Sequence, residues 1–269
     1  MEINMNISFY DNEIDEGLIK LKEKNSESIQ KDPEYDENII NTSVPGKEIV
    51  DMVTNAIEHH KSGIRMLFYG LSGAGKTALA KYIAKNIRKP LIKKNSSDIF
   101  NQYLGNSEKN IAEAFKEAKA KNAVLLFDEV DSFIHSRENN SASWELSTVN
   151  EFLTQLEDYK GIVICTTNLK NVLDKATLRR FHICVEFKAL KKEGTETLLK
   201  NYFPEYNFTE EQKEKLFHLN TITPGDFGIL SERLQFVNQK NHNSNYITEQ
   251  LCHLQEEKGN GTKVIGFGF

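Results

Sequence analysis

The sequence predicts an α/β protein in which a doubly wound parallel sheet is followed by a small all-helical domain. A glycine-rich loop at residues 70–77 lies between an apolar run and a helical pattern. Further apolar runs then alternate with helical patterns to about residue 190, and only helical patterns follow. Alternation of this kind is typical of a parallel sheet that is covered by helices on both faces.

Size and charge describe a globular chain with an uneven charge distribution. Its 269 residues give room for one large domain and a smaller one. Residues 1–45 hold 11 acidic and 4 basic side chains and so carry −7, which leaves about +2 for the rest of the net −5. A nearly neutral body gives little support for binding nucleic acid. No apolar run approaches the roughly 20 residues of a membrane span, so we expect no membrane partner.

The three cysteines and the N-terminal residues indicate the cellular compartment in which the chain works. The cysteine spacing matches no metal motif, and an odd number argues against a disulfide framework. Residues 1–45 are too polar to bury a core, and we predict an acidic flexible tail there. We therefore expect a reducing, cytoplasmic setting.

The first predicted helix and strand lead to the glycine-rich loop. Apolar side chains recur at helical spacing over residues 48–60, and residues 66–69 form the apolar run of a buried strand. Residues 70–77 match G-x-x-x-x-G-K-T, a phosphate loop whose backbone N–H groups surround an anion at a helix N-terminus. Lys76 is expected to reach the outer phosphates and Thr77 to bind Mg²⁺. The other predicted contacts of this loop are Ser72, Gly73, Ala74, Gly75 and Ala78.

Strands and helices continue beyond the loop. Strands are predicted at residues 90–92, 123–127, 161–165 and 183–187, and helices at residues 108–119 and 144–156. These elements complete a large nucleotide-binding domain over residues 46–190. Four helical patterns follow, at residues 190–203, 210–219, 227–239 and 247–257, and predict a helical lid domain over residues 191–257. Residues 258–269 form an apolar C-terminal tail that either docks on a domain or frays.

Two carboxylates follow the strand at residues 123–127. Asp128 comes 52 residues after Lys76, at a strand end that faces the ligand crevice of an open α/β sheet. We predict that Asp128 holds Mg²⁺, directly or through water. Glu129 is predicted to activate the water that attacks the γ-phosphate.

Further polar side chains follow the next strand. Asn168 is placed to hydrogen-bond the attacking water and a γ-phosphate oxygen. Arg179 and Arg180 allow two interpretations, a surface pair at a helix end or arginine fingers that stabilise charge during phosphoryl transfer. Such fingers are often supplied by a neighbouring subunit, which requires a ring.

The order of these motifs resembles that of the AAA ATPases, above all their short, single-module bacterial and phage members. Phosphate loop, Asp-Glu, Thr-Thr-Asn and Asp-x-Ala-x-x-Arg-Arg-Phe occur in sequence, and the resemblance covers residues 46–255. It implies a Mg²⁺-dependent ATP hydrolase that forms ATP-dependent homo-oligomers, usually hexamers, and remodels or threads proteins through a central pore. By the same resemblance, Tyr103 and Leu104 face the pore and Gly225 approaches the adenosine. The adjacent arginines and the Pro-Gly-Asp-Phe at residues 224–227 depart from the family pattern.

Two other classes of function remain as alternatives. One is an AAA-type switch or loader that acts on nucleic-acid machinery, and the nearly neutral body argues against it. The other is a scaffold that binds ATP without turnover, and the presence of Glu129, Asn168 and both arginines argues against that. The protein substrate or adaptor cannot be identified from the sequence.

Overall fold

A five-stranded sheet forms the centre of the molecule. The computed structural model describes residues 35–99, 106–131, 143–169, 175–237 and 242–259. The strands are β1 (Ile64–Gly70), β2 (Leu91–Asn95), β3 (Val124–Asp128), β4 (Ile162–Thr167) and β5 (Ile183–Phe187). They are arranged in the order β2-β3-β4-β1-β5, and all four pairings between them are parallel.

Helices cover both faces of this sheet, because each parallel connection needs a crossover. They are α1 (Gly46–Glu58), α2 (Lys76–Asn86), α3 (Ser96–Ile99), α4 (Asn106–Ala120), α5 (Ser143–Asp158) and α6 (Lys175–Leu178). Leu125 and Phe127 of β3 pack with α4 and α5, whereas Val124 and Leu126 pack with α1 and α2. The predicted doubly wound sheet is confirmed.

A helical part with its own core follows β5. It consists of α7 (Lys192–Tyr202), α8 (Glu210–Phe217), α9 (Pro224–Leu234) and α10 (Ser244–Gly259), whose apolar side chains form a separate cluster. Helix α9 begins three residues before the predicted start at residue 227, because a proline at the first helical position suits a helix. None of the described helices has the length and apolar character that a bilayer span requires.

Residues 35–45 are not part of a flexible tail, as was predicted for all of residues 1–45, but pack on the sheet. The side chains of Tyr35 and Ile40 are buried, and Thr42 forms an antiparallel bridge with Phe187 of β5. Ser43 N–H donates to the Glu186 carbonyl at 2.9 Å. The packed body therefore begins at least ten residues before the predicted boundary, because Tyr35 packs against Gly46 of α1 and Tyr82 of α2, and Ile40 packs against Gly75.

Candidate functional site

The phosphate loop at residues 70–77 connects β1 to α2. Gly73 and Gly75 have φ values of 74° and 97°, in the left-handed region that non-glycine residues rarely adopt. Gly75 is the N-cap of α2, so the loop runs directly into the positive end of that helix. Ala74 within the loop and Ala78 on α2 are buried, whereas Ser72 is exposed. The local geometry is that of an anion-binding turn.

The ammonium group of Lys76 is surrounded by oxygen atoms. It donates to the carbonyls of Gly70 and Leu71 at 3.0 and 2.9 Å and to Asn168 Oδ1 at 2.7 Å. Burial lowers the pKa of Lys76 to about 8, and the nearby charges of Asp128, Asp131 and Glu129 oppose that shift. Asn168 at the end of β4 and Lys76 on α2 are thus brought together, as the sequence predicts.

The carboxylate of Asp128 accepts hydrogen bonds from three directions. Thr77 Oγ1 donates to its Oδ2 at 3.2 Å, Thr166 Oγ1 donates to its Oδ1, and Lys93 Nζ lies 2.7 Å from Oδ2. Burial acts to raise the pKa of Asp128, but the hydrogen bonds from Lys93 and Thr166 outweigh it, so that this pKa lies below its usual range. The predicted magnesium ligands Thr77 and Asp128 are therefore neighbours.

Glu129 occupies an unusual backbone conformation. Its φ is 59°, which costs a non-glycine residue about 1–2 kcal/mol. Its N–H donates to Thr166 Oγ1 at 2.9 Å, and its carbonyl accepts from Ser96 Oγ at 2.9 Å. These bonds hold the turn that leaves Glu129 exposed beside Asp128.

The two arginines lie elsewhere in this chain. Arg180 Nε is 2.5 Å from Glu157 Oε1, and the Arg180 carbonyl accepts from Arg65 Nε at 2.6 Å. Arg65 is the second residue of β1, and the phosphate loop starts at Gly70, the last residue of that strand. About 17 Å of strand therefore separates Arg65 from the loop. Arg179 is exposed. The structure does not bring either arginine to the phosphate loop of its own chain.

The helical part after β5 and the segment at residues 35–45 both contact the phosphate loop. Gly225 N–H donates to the Gly73 carbonyl at 3.0 Å, and a Cβ added at Gly225 would lie 2.9 Å from Gly73 Cα. On the other side, a Cβ added at Gly75 would lie 2.5 Å from Ile40 Cδ1. Gly225 is thus adjacent to the loop, and the adenosine contact that the family resemblance implies for it stays a prediction.

Several residues of this site were not found from the sequence. Lys93 belongs to none of the sequence motifs, and the hydroxyl of Thr166 carries no signal beyond its place in Thr-Thr-Asn. Lys93 reaches Asp128 because β2 lies beside β3. Tyr103, Leu104 and residues 260–269 lie outside the described residues.

The chain shares sequence with several ATPases. Residues 66–189 match the ATPase family associated with various cellular activities (AAA). The chain is 35% identical over 147 residues to peroxisomal ATPase PEX6 of Saccharomyces cerevisiae, covering 49% of this chain and 14% of that protein. It is 37% identical over 124 residues to peroxisomal ATPase PEX1 of Dictyostelium discoideum, covering 44% of this chain and 10% of that protein. The chain thus spans only a small part of the length of these relatives.

The fold is similar to that of a solved AAA domain. The structure of the FIGL-1 AAA domain in complex with ADP matches with a TM-score of 0.56 at 17% sequence identity, covering 88% of this chain and 94% of that one. At this identity the likeness concerns the fold alone. The family match includes the phosphate loop, Asp128, Glu129 and Asn168. Residues 66–189 of this chain are a domain of the AAA family.

Proposed function

We propose that this chain binds ATP with Mg²⁺ at the carboxyl edge of its sheet and hydrolyses it, and that a ring of such chains uses the hydrolysis to remodel or thread proteins. The observation that carries the ATP site is the convergence of the Lys76, Asn168, Thr77 and Asp128 side chains within hydrogen-bonding distance. They come from the start of α2, the end of β3 and the residue after β4. In open α/β sheets this edge is the ligand crevice.

The residues of the site fit both ATP and its metal. All three N–H bonds of the Lys76 ammonium point to oxygen acceptors, which phosphate oxygens can replace. Thr77 and Asp128 offer a hydroxyl and a carboxylate, the oxygen ligands that Mg²⁺ prefers. Bound Mg²⁺ supplies positive charge that neutralises the phosphate oxygens during transfer.

Glu129 and Asn168 complete the proposed chemistry. Glu129 takes the proton of the attacking water, because its exposed carboxylate follows the metal-binding Asp128 directly. Asn168 orients that water through its amide. Since the Asn168 amide oxygen accepts a hydrogen bond from Lys76, a γ-phosphate bound by Lys76 changes the hydrogen bonds of both residues.

Substituting Lys76 tests the ATP site. Lys76→Met should weaken binding of a fluorescent ATP analogue about 10- to 100-fold, because it removes charge-assisted hydrogen bonds to phosphate. Lys213→Met is the matched control, because Lys213 pairs with Glu210 on the surface of the helical part. Equal affinities for Lys76→Met and the unmodified chain would contradict the proposed site.

The ring and the protein substrate are inferred from the family resemblance, from the position of Arg180 and from the charge of the chain. The resemblance to AAA ATPases implies a ring, and the distance between Arg180 and its own phosphate loop is consistent with action on a neighbour. Two relatives are named peroxisomal ATPases. The nearly neutral body favours a protein over a nucleic-acid substrate. We propose that Tyr103 and Leu104 grip that substrate in the pore.

Mixing two inactive variants tests whether an arginine acts across subunits. Arg179→Ala is preferred to Arg180→Ala, because Arg180 also holds Glu157 in its own chain. Arg179→Ala mixed with Lys76→Met should recover part of the ATPase rate, since some interfaces join an intact phosphate loop to an intact arginine. Mixed oligomers that form, as seen by native mass, without recovering activity would contradict the assignment.

A further inference from the structure

Lys93 is a second lysine at the proposed nucleotide site, in addition to Lys76. It lies on β2, which pairs in parallel with β3 so that Lys93 is opposite Leu126 and Asn95 is opposite Asp128. Side chains two residues apart on a strand share a face, so Lys93 and Asp128 lie on the same side of the sheet. The Lys93 ammonium is 2.7 Å from Asp128 Oδ2.

The neighbouring lysine has a different partner. Lys94 points to the opposite face, where its ammonium lies 2.9 Å from Glu117 Oε2 on α4. Lys93 and Lys94 therefore carry the same charge and lie on the same strand, but they pair with different carboxylates. Lys94 is a matched control for any substitution of Lys93.

Lys93 binds the carboxylate that is proposed to hold Mg²⁺. Asp128 Oδ2 also accepts from Thr77 Oγ1, the other proposed metal ligand, at 3.2 Å. The Asp128 side chain is only 15% exposed, whereas that of Lys93 is 40% exposed. Two cations at one partly buried carboxylate repel each other, and the more exposed one can leave.

We propose that Lys93 is a counter-cation built into the site, which neutralises Asp128 in the absence of Mg²⁺ and is displaced when Mg²⁺ and ATP bind. This proposal rests on the proposed function of the site and adds a means by which the chain sets its own Mg²⁺ requirement. Lys93 keeps the carboxylate in place between catalytic cycles. It also opposes the metal, so that metal binding is weaker than Thr77 and Asp128 alone would give. Lys93 is a positioning residue and not a phosphate ligand.

Titration with Mg²⁺ tests the proposal without measuring turnover. The probe is a fluorescent ATP analogue, and the readout is the Mg²⁺ concentration that gives half of the metal-dependent change in its fluorescence. Lys93→Met should lower this midpoint about 3- to 10-fold, as expected for the loss of one partly exposed charge. Lys94→Met and Lys93→Arg should keep the midpoint of the unmodified chain. Affinity for the analogue in EDTA should not fall in Lys93→Met.

Three outcomes would overturn the proposal. A midpoint that is unchanged or raised in Lys93→Met would show that Lys93 does not compete with the metal. Weaker binding of the analogue in EDTA would show that Lys93 contacts phosphate. An equal effect of Lys93→Met in an Asp128→Asn background would show that it does not act through Asp128. If the unmodified chain and Lys94→Met bind no analogue at all, the proposed function itself fails. Melting temperatures of all variants identify any that do not fold.

Discussion

Glu129→Gln is expected to lower the rate of ATP hydrolysis about 100- to 10,000-fold, the usual contribution of a general base. The change removes only the proton acceptor, because glutamine has nearly the same size and the same backbone cost at a φ of 59°. Affinity for ATP should stay within roughly twofold, since a group that acts on the attacking water contributes little to ground-state binding. A coupled ATPase assay and binding of a fluorescent ATP analogue measure the two quantities.

A matched substitution separates this effect from a general loss of negative charge. Glu117 is a glutamate on α4 whose carboxylate pairs with Lys94 and Lys121, and Glu117→Gln should hydrolyse ATP at the unmodified rate. Normal turnover by Glu129→Gln would assign the general base to another residue. Asp131 is then the first candidate, because its carboxylate lies close to the backbone of Asn168.

Asp226→Ala is expected to lower the free energy of unfolding by about 2–4 kcal/mol. Asp226 is 1% exposed at the start of α9, and its carboxylate lies 2.6 Å from Lys258 Nζ. It also accepts from Thr223 N–H at 2.8 Å and from Gln255 Nε2 at 3.0 Å. Alanine would leave these donors without an acceptor in the core that joins α9 to α10. The melting temperature should fall by roughly 5–15 °C.

An exposed ion pair in the same helical part provides the control. Glu214 of α8 is 3.2 Å from Lys192 of α7, and both side chains are at least half exposed. Glu214→Ala should therefore change the free energy of unfolding by less than about 1 kcal/mol. If Asp226→Ala melts at the same temperature as Glu214→Ala, the buried network does not stabilise the helical part.

The fold and the centre of the site could be predicted because their signals are local. The apolar run before Asp128 specifies a buried strand, and the glycine pattern before Lys76 specifies a turn into a helix. Parallel strands place such ends at one edge of the sheet, so the meeting of Lys76 and Asn168 follows from topology alone. The ends of the helices differ from the predicted ends by up to five residues, because capping depends on neighbours such as Pro224.

The remaining features depend on contacts between distant parts of the chain. Lys93 reaches Asp128 only because β2 is next to β3, and no local pattern distinguishes it from the neighbouring Lys94. Tyr35 and Ile40 lie in a polar, acidic stretch whose average composition hides two buried side chains. Arg180 likewise pairs with Glu157, a contact that no sequence pattern indicates.

The contacts on either side of the phosphate loop have a consequence for synthesis of the chain. Ile40 lies against Gly75, and Gly225 bonds to Gly73, so the surroundings of the loop come from residues about 185 positions apart. A ribosome releases the loop long before Gly225 exists, and the loop acquires its last neighbour only after α9 has been made. In the proposed function, ATP bound to the finished loop stabilises complete molecules, by about 2.7 kcal/mol at one hundred times its dissociation constant. Chains that end before Gly225 lack its hydrogen bond to Gly73 and therefore one side of the loop's surroundings.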